Sequence, residues 1–359
     1  MSEFRSAVKK SQEPIWKLED GLTYSSLSRW LRCREQFVLS VMEGWTPKRI
    51  STPLTFGTMF HLCLELQFLS PELTPDQITG IATSHVHKSL SARGALPKED
   101  RDKVAQVKGM ITVLFPAYIE YWQWRDEDLE WIERECRFQF NHTVRRYSPR
   151  VEGSSAVRDS KDTVVPLRGM RDGAFRDNLG NLFLFETKTK SKIDESVLTG
   201  TLRQDFQTLL YCYSLMVEHG ECPLGVLYNI VRRPSQKFGA KDTMGSFLSR
   251  IKKDVDKRPE HYFLRYNIQL TKEDIATFIR CTLDPMLRSF LDWYETISSD
   301  HMQRFESQLH FMNPNALVDQ YGKCDLFDLL VREARALYYC RREPFPELAE
   351  PKVKIPHRG

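Results

Sequence analysis

The sequence has no apolar run of the ~18 residues that a membrane-spanning helix needs. Its first residues, MSEFRSAVKKSQEPIWKLED, are too polar and charged for a secretory signal. Both absences imply a cytoplasmic chain with reduced thiols and no membrane partner. The eight cysteines are scattered singly, and no Cys-x-x-Cys is present to seed a zinc knuckle. A strong charge of one sign is missing too: 52 Lys+Arg against 48 Asp+Glu leave +4 over 359 residues. That balance permits a nucleic-acid partner without requiring one; only local clustering of basic residues would argue for it. No internal repeat is present. What remains is an ordinary globular composition, 41% hydrophobic and 28% charged, long enough for one large domain or two small ones.

Residues 1–20 read as a loose arm. TYSSLSRWLRCREQFVLSVM then places Leu27, Trp30, Leu31, Phe37 and Val38 at helical spacing, with Thr23 or Ser25 as cap. A second helix is expected from Leu54 and a short one over 76–91. RDKVAQVKGMITVLFPAYIEYWQWRDE reads as a long helix kinked at Pro116. LEWIERECRFQFN alternates and reads as a strand, and HTVRRYSPRVEGSSAVRDSKD as a polar, mobile loop. TVVPLRGMRDGAFRD, NLFLFETKTK and PLGVLYNIVRRP are further strands, with a helix over 196–220 between the last two. A basic helix (MGSFLSRIKKDVDKR), a strand near YFLRYNIQL, a helix opened by Thr271 and Asp274, and a helix over CDLFDLLVREARALYYC complete the pattern. This order gives a mixed α/β (α+β) core with helical decoration.

The segment LFLFETKTKSK, residues 182–192, carries the chemistry. Asn178-Leu179-Gly180 before it suits a three-residue hairpin loop, with Gly180 free to take a positive φ. That loop pairs Asp177 with Asn181, and counting outward sets Asp172 opposite Glu186, to within the one residue a bulge would shift. Strand alternation puts Glu186 and Lys188 on one face. Two carboxylates held close repel unless a positive group lies between them. A hard divalent cation meets that need, and the lysine beside it can hold a water or steady a developing negative charge. This layout suits phosphodiester hydrolysis. Two other such triplets, Asp159-Ser160-Lys161 and Glu350-Pro351-Lys352, lack an apolar strand before them.

These residues resemble the PD-(D/E)XK nuclease superfamily, and within it the RecB-like exonuclease branch in its phage-type form. The core motif falls on Asp172, Glu186 and Lys188, with Arg171 where the motif's proline would stand. Gly57-x-x-x-His61-x-x-x-Glu65 resembles the branch's helix before the sheet, and Gln207-x-x-x-Tyr211 its motif beside the active site. The resemblance spans roughly residues 25–340. It implies a small central mixed β-sheet of the restriction-endonuclease-like type, flanked and capped by helices. A single nuclease domain would occupy 21–345, with a helical insertion around 70–130 and an extended tail over 346–359.

The resemblance also implies roles. His61, Asp172, Glu186 and Thr187 would hold Mg2+ or Mn2+, the imidazole suiting Mn2+ better. His61, Asp172, Glu186 and Lys188 form the catalytic group. Gln207, Tyr211, Lys190 and Arg203 would orient the DNA, and Gly57 and Glu65 would support the site. Relatives tie four cysteines around a [4Fe–4S] cluster. Here Cys33 and Cys324 match, but leucines at about 317 and 330 stand where two others belong and Cys340 lies far downstream, a degenerate pattern that argues against a cluster.

The implied activity is a DNA exonuclease of phage replication or recombination, acting in a bacterial host cytoplasm, with an endonuclease using the same site as a close variant. A different class is a non-catalytic DNA-binding or scaffold subunit serving a recombinase, annealing protein or helicase; the intact Asp/Glu/Lys/His set speaks against it. Lys192, Arg232, Arg233, Arg29, Arg32 and Arg34 add to a basic surface able to track a phosphate backbone. Tyr118, Tyr121, Trp122 and Trp124 read as core or interface. An oligomer remains open.

Overall fold

The computed structural model describes residues 14–91, 96–147, 160–191 and 201–299, and beyond them 313, 316, 318–319, 322–326, 339–342, 345 and 348. Helix α1 (Tyr24–Arg32) leads through a short helix, Arg34–Phe37, and a π turn to β1 (Trp45–Pro47). Three helices follow, α2 (Thr52–Leu69), α3 (Pro75–Ser91) and α4 (Lys98–Trp122). Then come β2 (Glu130–Tyr147), β3 (Ser160–Arg176), β4 (Leu182–Lys190), α5 (Phe206–His219), β5 (Gly225–Arg232), α6 (Met244–Lys257) and β6 (Phe263–Gln269). Helices α7 (Lys272–Phe278) and α8 (Asp284–Ser299), joined by another π turn, precede the short strands β7 (Val318–Asp319), β8 (Gly322–Lys323) and β9 (Tyr339–Arg341).

Residue contacts divide the chain into two compact units. The first comprises Met1–Pro47, Phe138–Gly169 and Lys272–Ala349; the second comprises Lys48–Arg137, Met170–Thr271 and Glu350–Gly359. Strands β2 and β3 each continue from one unit into the other.

The main sheet has the order β2-β3-β4-β5-β6. β3 and β4 are antiparallel, β4 and β5 parallel, and β5 and β6 antiparallel, so the sheet is mixed. A parallel step needs a crossover, and α5 supplies it. β4 lies at the centre and is buried continuously from Leu182 to Thr187, which is why LFLF does not alternate with polar residues. Phe183 and Phe185 pack with Phe175, Trp131 and Leu227. The helical layer of the second unit interlocks Phe56 and Phe60 of α2, Ile111 and Phe115 of α4, and Phe247 and Ile251 of α6 with Val231 and Phe263 of the sheet. Each such side chain contributes on the order of 1.5–3 kcal/mol by leaving water.

Four expectations are corrected. Trp16 falls in the supposed loose arm but is buried edge-on to Phe37 and Tyr294, so the chain is packed before residue 20. The polar loop expected from His142 is strand as far as Tyr147, and strand resumes at Ser160. Side-chain bonds replace the missing apolar alternation there: His142 meets Asp284 at 2.7 Å, and Arg146 bonds Asp292 and Glu295. The helix expected over 196–220 has its cap at Asp205, whose carboxylate accepts from the Thr208 N–H; residues 192–200 lie outside the described residues. Tyr339 and Cys340, expected at the end of a helix, lie in β9 against β1. α4 passes through Pro116 without ending there.

Candidate active site

Helix α2 lies against β4 because Gly57 has no side chain. A Cβ there would sit 3.1 Å from Thr189 Oγ1. One turn on, His61 Nδ1 lies 2.7 Å from Glu135 Oε1 and 3.4 Å from Asp172 Oδ1. Ligand atoms of these three residues all fall within 4.8 Å of one another. Glu135 takes φ 47°, a left-handed backbone uncommon for a residue with a side chain. That conformation interrupts the two-residue alternation of β2, so Glu133 and Glu135 serve different partners: Glu133 pairs with Arg171, and Glu135 meets His61.

Asp172 sits at the open end of the β3–β4 hairpin. The pairs Arg176–Leu182 to Gly173–Phe185 have the register dictated by the loop, where Gly180 takes φ 82°. Beyond Gly173 a side chain takes over from the ladder: the Thr187 N–H donates to Asp172 Oδ2 at 2.6 Å. Glu186 and Lys188 share a face, with Lys188 Nζ donating to Glu186 Oε1 at 2.6 Å and to Gln207 Oε1 at 2.7 Å. Gln207 Nε2 in turn donates to the Tyr211 hydroxyl at 3.2 Å. The Asp205 cap starts α5, which sets Gln207 in the first turn and Tyr211 one turn later.

Burial dominates the electrostatics. It pushes Glu186 up to about 8, and the Asp172 charge adds to that shift while Lys188 opposes it. Asp172 is raised by burial; His61 opposes, Glu135 adds, and the Thr187 N–H favours the carboxylate. Burial disfavours the Lys188 ammonium, yet Glu186 and Asp205 outweigh it and hold the lysine above its usual range. Glu186 and Lys188 form a true ion pair only when Glu186 is ionised, so the two upward shifts compete. The direction that stands for Glu186 is upward, because it is 1% exposed. Its Oε2 is buried and has no hydrogen-bond partner among the described residues. An orphaned carboxylate oxygen beside a His/Glu/Asp cluster is the donor set that a divalent cation satisfies.

Beside the cluster, Arg171 is fully buried and ties three elements together. It bonds Glu133 of β2 in a fork at 2.5 and 3.0 Å, and Ser214 and Glu218 of α5 at 2.9 and 2.5 Å. The residue that replaces proline before Asp172 is thus an internal strut.

His61, Asp172, Glu186, Lys188, Gln207 and Tyr211 come together. Thr187 reaches the group through its backbone, since its hydroxyl accepts from Asn229 Nδ2 at 3.2 Å. Glu65 is half-buried one turn beyond His61, and Lys190 and Arg203 are exposed. Arg232, expected in the basic surface, spends its Nε on the His261 carbonyl at 2.9 Å. Tyr118 and Trp122 are core residues, whereas Trp124 is 72% exposed. Cys340 turns its thiol to the Thr46 carbonyl, 3.8 Å away, and Leu317 and Leu330 lie outside the described residues. The sequence reading missed Glu135. Its signal was the run Glu133, Arg134, Glu135 inside a strand, where charged residues demand buried partners.

The family model of the PD-(D/E)XK nuclease superfamily matches residues 21–305. The chain belongs to the PD-(D/E)XK nuclease superfamily. Its mixed five-stranded sheet with flanking helices is consistent with the restriction-endonuclease-like fold of this superfamily, whose members are phosphodiester hydrolases that use divalent metals. No curated protein matches the chain. A solved structure described as "Crystal structure of SSO0001" is 12% identical over 56% of this chain and 74% of its own, with a TM-score of 0.18, too low to bear on the fold. Within the matched residues, acidic side chains and a lysine meet at the end of a central hairpin. Among the described residues, no helix is long and apolar enough to cross a membrane.

Proposed function

We propose that the protein is a metal-dependent DNA exonuclease acting through the group around Asp172, Glu186 and Lys188. The observation that carries this reading is the meeting of His61, Glu135 and Asp172 within 4.8 Å, with Asp172 acting electrostatically on a Glu186–Lys188 pair closed at 2.6 Å. His61, Glu135, Asp172 and Glu186 would hold Mg2+ or Mn2+, with Thr187 contributing through its backbone. Bound there, the ion supplies a Lewis acid for the phosphoryl oxygen and a lowered pKa for the attacking water.

The chain's own residues do the rest. Thr187 N–H occupies Asp172 Oδ2, which leaves Oδ1 turned to His61 for ligation. His61 Nδ1 lies 2.7 Å from Glu135 Oε1 and 3.4 Å from Asp172 Oδ1, so the three side chains converge on one position that an ion would occupy. Lys188 spends two of its three N–H donors on Glu186 and Gln207. The third serves the attacking water or the charge growing on the phosphoryl group. Gln207 is itself oriented by Tyr211 and aims the lysine. Lys190 and Arg203 would carry the backbone of the strand. With Asp172 and Glu186 at 9% and 1% exposure, the site suits a strand end better than a closed duplex. Phage DNA replication or recombination, beside a recombinase or annealing protein, is the setting this reading suggests.

The test is digestion of end-labelled linear DNA and closed circular DNA with Mg2+, with Mn2+ and with EDTA. We expect metal-dependent loss of the linear form alone. Failure to cleave any DNA with either metal would overturn the reading.

A further inference from the structure

A second feature of the same unit lies outside the catalytic group. A cavity of about 250 Å³ opens between the later turns of α2, the end of α4 and the start of β2. Its wall includes Gln67, Tyr118, Trp122, Asp126, Trp131 and Arg134. The Arg134 guanidinium lies 3.4 Å from the centre of the Trp131 ring and 4.3 Å from that of Phe185. The two rings stand nearly perpendicular, at 83°, and the guanidinium sits in the corner between them. Guanidinium donors lie in the plane, however, and ring faces do not satisfy them. Arg134 Nη1 is buried and has no hydrogen-bond partner among the described residues.

The charges around the cavity do not cancel. Asp126 is its one acidic lining residue among those described, and both its oxygens are taken by Arg265, which stacks on Trp122 at 3.9 Å. Two guanidiniums thus face one carboxylate. A buried cationic donor left unpaired is costly, and a phosphate accepts such a fork with good geometry. Arg134 directly precedes Glu135, and Gln67 lies on α2 less than two turns beyond His61.

We infer that this cavity is a nucleotide subsite of the DNA strand, with Arg134 holding a phosphate. This rests on the nuclease reading above for its substrate. The subsite would hold a nucleotide on the Phe185 face of β4, away from the face that carries Glu186 and Lys188, and so register the strand at a distance from the bond being cut.

The test uses the full chain in EDTA, so that binding is read without cleavage. Calorimetry with dTMP, thymidine and a short single-stranded oligonucleotide should show dTMP binding that thymidine does not match, and displacement of dTMP by the oligonucleotide. Arg134→Gln should weaken dTMP by about 10- to 100-fold, the worth of a charge-assisted hydrogen bond. Asp126→Asn should tighten it, an opposite effect that a folding defect cannot imitate. Equal binding of thymidine and dTMP, indifference to Arg134→Gln, weaker binding by Asp126→Asn, or dTMP that the oligonucleotide fails to displace would each overturn the subsite. Cleavage of DNA without dTMP binding would overturn the subsite alone. Binding without any cleavage would leave the subsite and overturn the nuclease.

Discussion

Single side chains divide here by what their loss would change. Asp172→Asn should abolish metal-dependent cleavage while leaving the melting temperature within a few degrees, because the amide oxygen can still accept from Thr187. Lys188→Ala should lower kcat by about 100-fold or more with little change in DNA affinity, as expected for a group that steadies developing charge. Glu135→Gln should raise the metal concentration needed for half-maximal activity by about 10- to 100-fold; a metal titration of the variant checks it, and an unchanged midpoint would remove Glu135 from the metal group. At this scale the sequence was partly legible. Asp172, Glu186 and Lys188 could be found because a loop of known length fixes a register and a strand has a fixed period. Glu135 could not, because its place depends on a left-handed backbone that no alternation pattern reveals.

The elements hold the site through a few contacts that reach well beyond it. Arg171 joins β2, β3 and α5 from a fully buried position. Arg171→Met would leave Glu133 without its partner and should cost about 3 to 5 kcal/mol, read by denaturant unfolding. Asp205→Ala removes the cap of α5 and should cost about 0.5 to 2 kcal/mol. It should also lower kcat, since Gln207 stands in the first turn that the cap fixes. Helices and central strands were legible from periodicity. The far half of β2 was not, since between His142 and Arg146 Val144 alone is a buried apolar residue, and the stretch meets α8 through the His142–Asp284 contact and the Arg146 pairs with Asp292 and Glu295.

For the molecule as a whole, protons and metal compete for one carboxylate cluster, and this links stability to pH. Glu186 has an ordinary value of 4.5 and rises to about 8 in the folded, metal-free chain. Between those values the folded state keeps a proton that the unfolded state has released. Stability in EDTA should therefore fall as pH rises through that window and level off above it. Asp172, also raised, contributes with the same sign. Melting temperatures from about pH 5 to about pH 9 should show this slope in EDTA. Glu186→Gln should flatten the slope, and Mn2+ should reverse it by binding the ionised form. A flat wild-type profile in EDTA would mean that Glu186 is already ionised in the apo protein. The division into two units was not legible in composition. Each unit is assembled from separated stretches of chain, so no linker or shift in residue content marks a boundary.

The Thr187 N–H bond to Asp172 gives one carboxylate two duties, ligand and rung. Alanine at 172 would delete a cross-strand tie along with the charge and let the hairpin mouth spread. Asparagine would delete the charge alone. A dead variant meant to capture its substrate for structural work should accordingly carry the amide, and one carrying alanine would report loosened architecture as though it were lost chemistry.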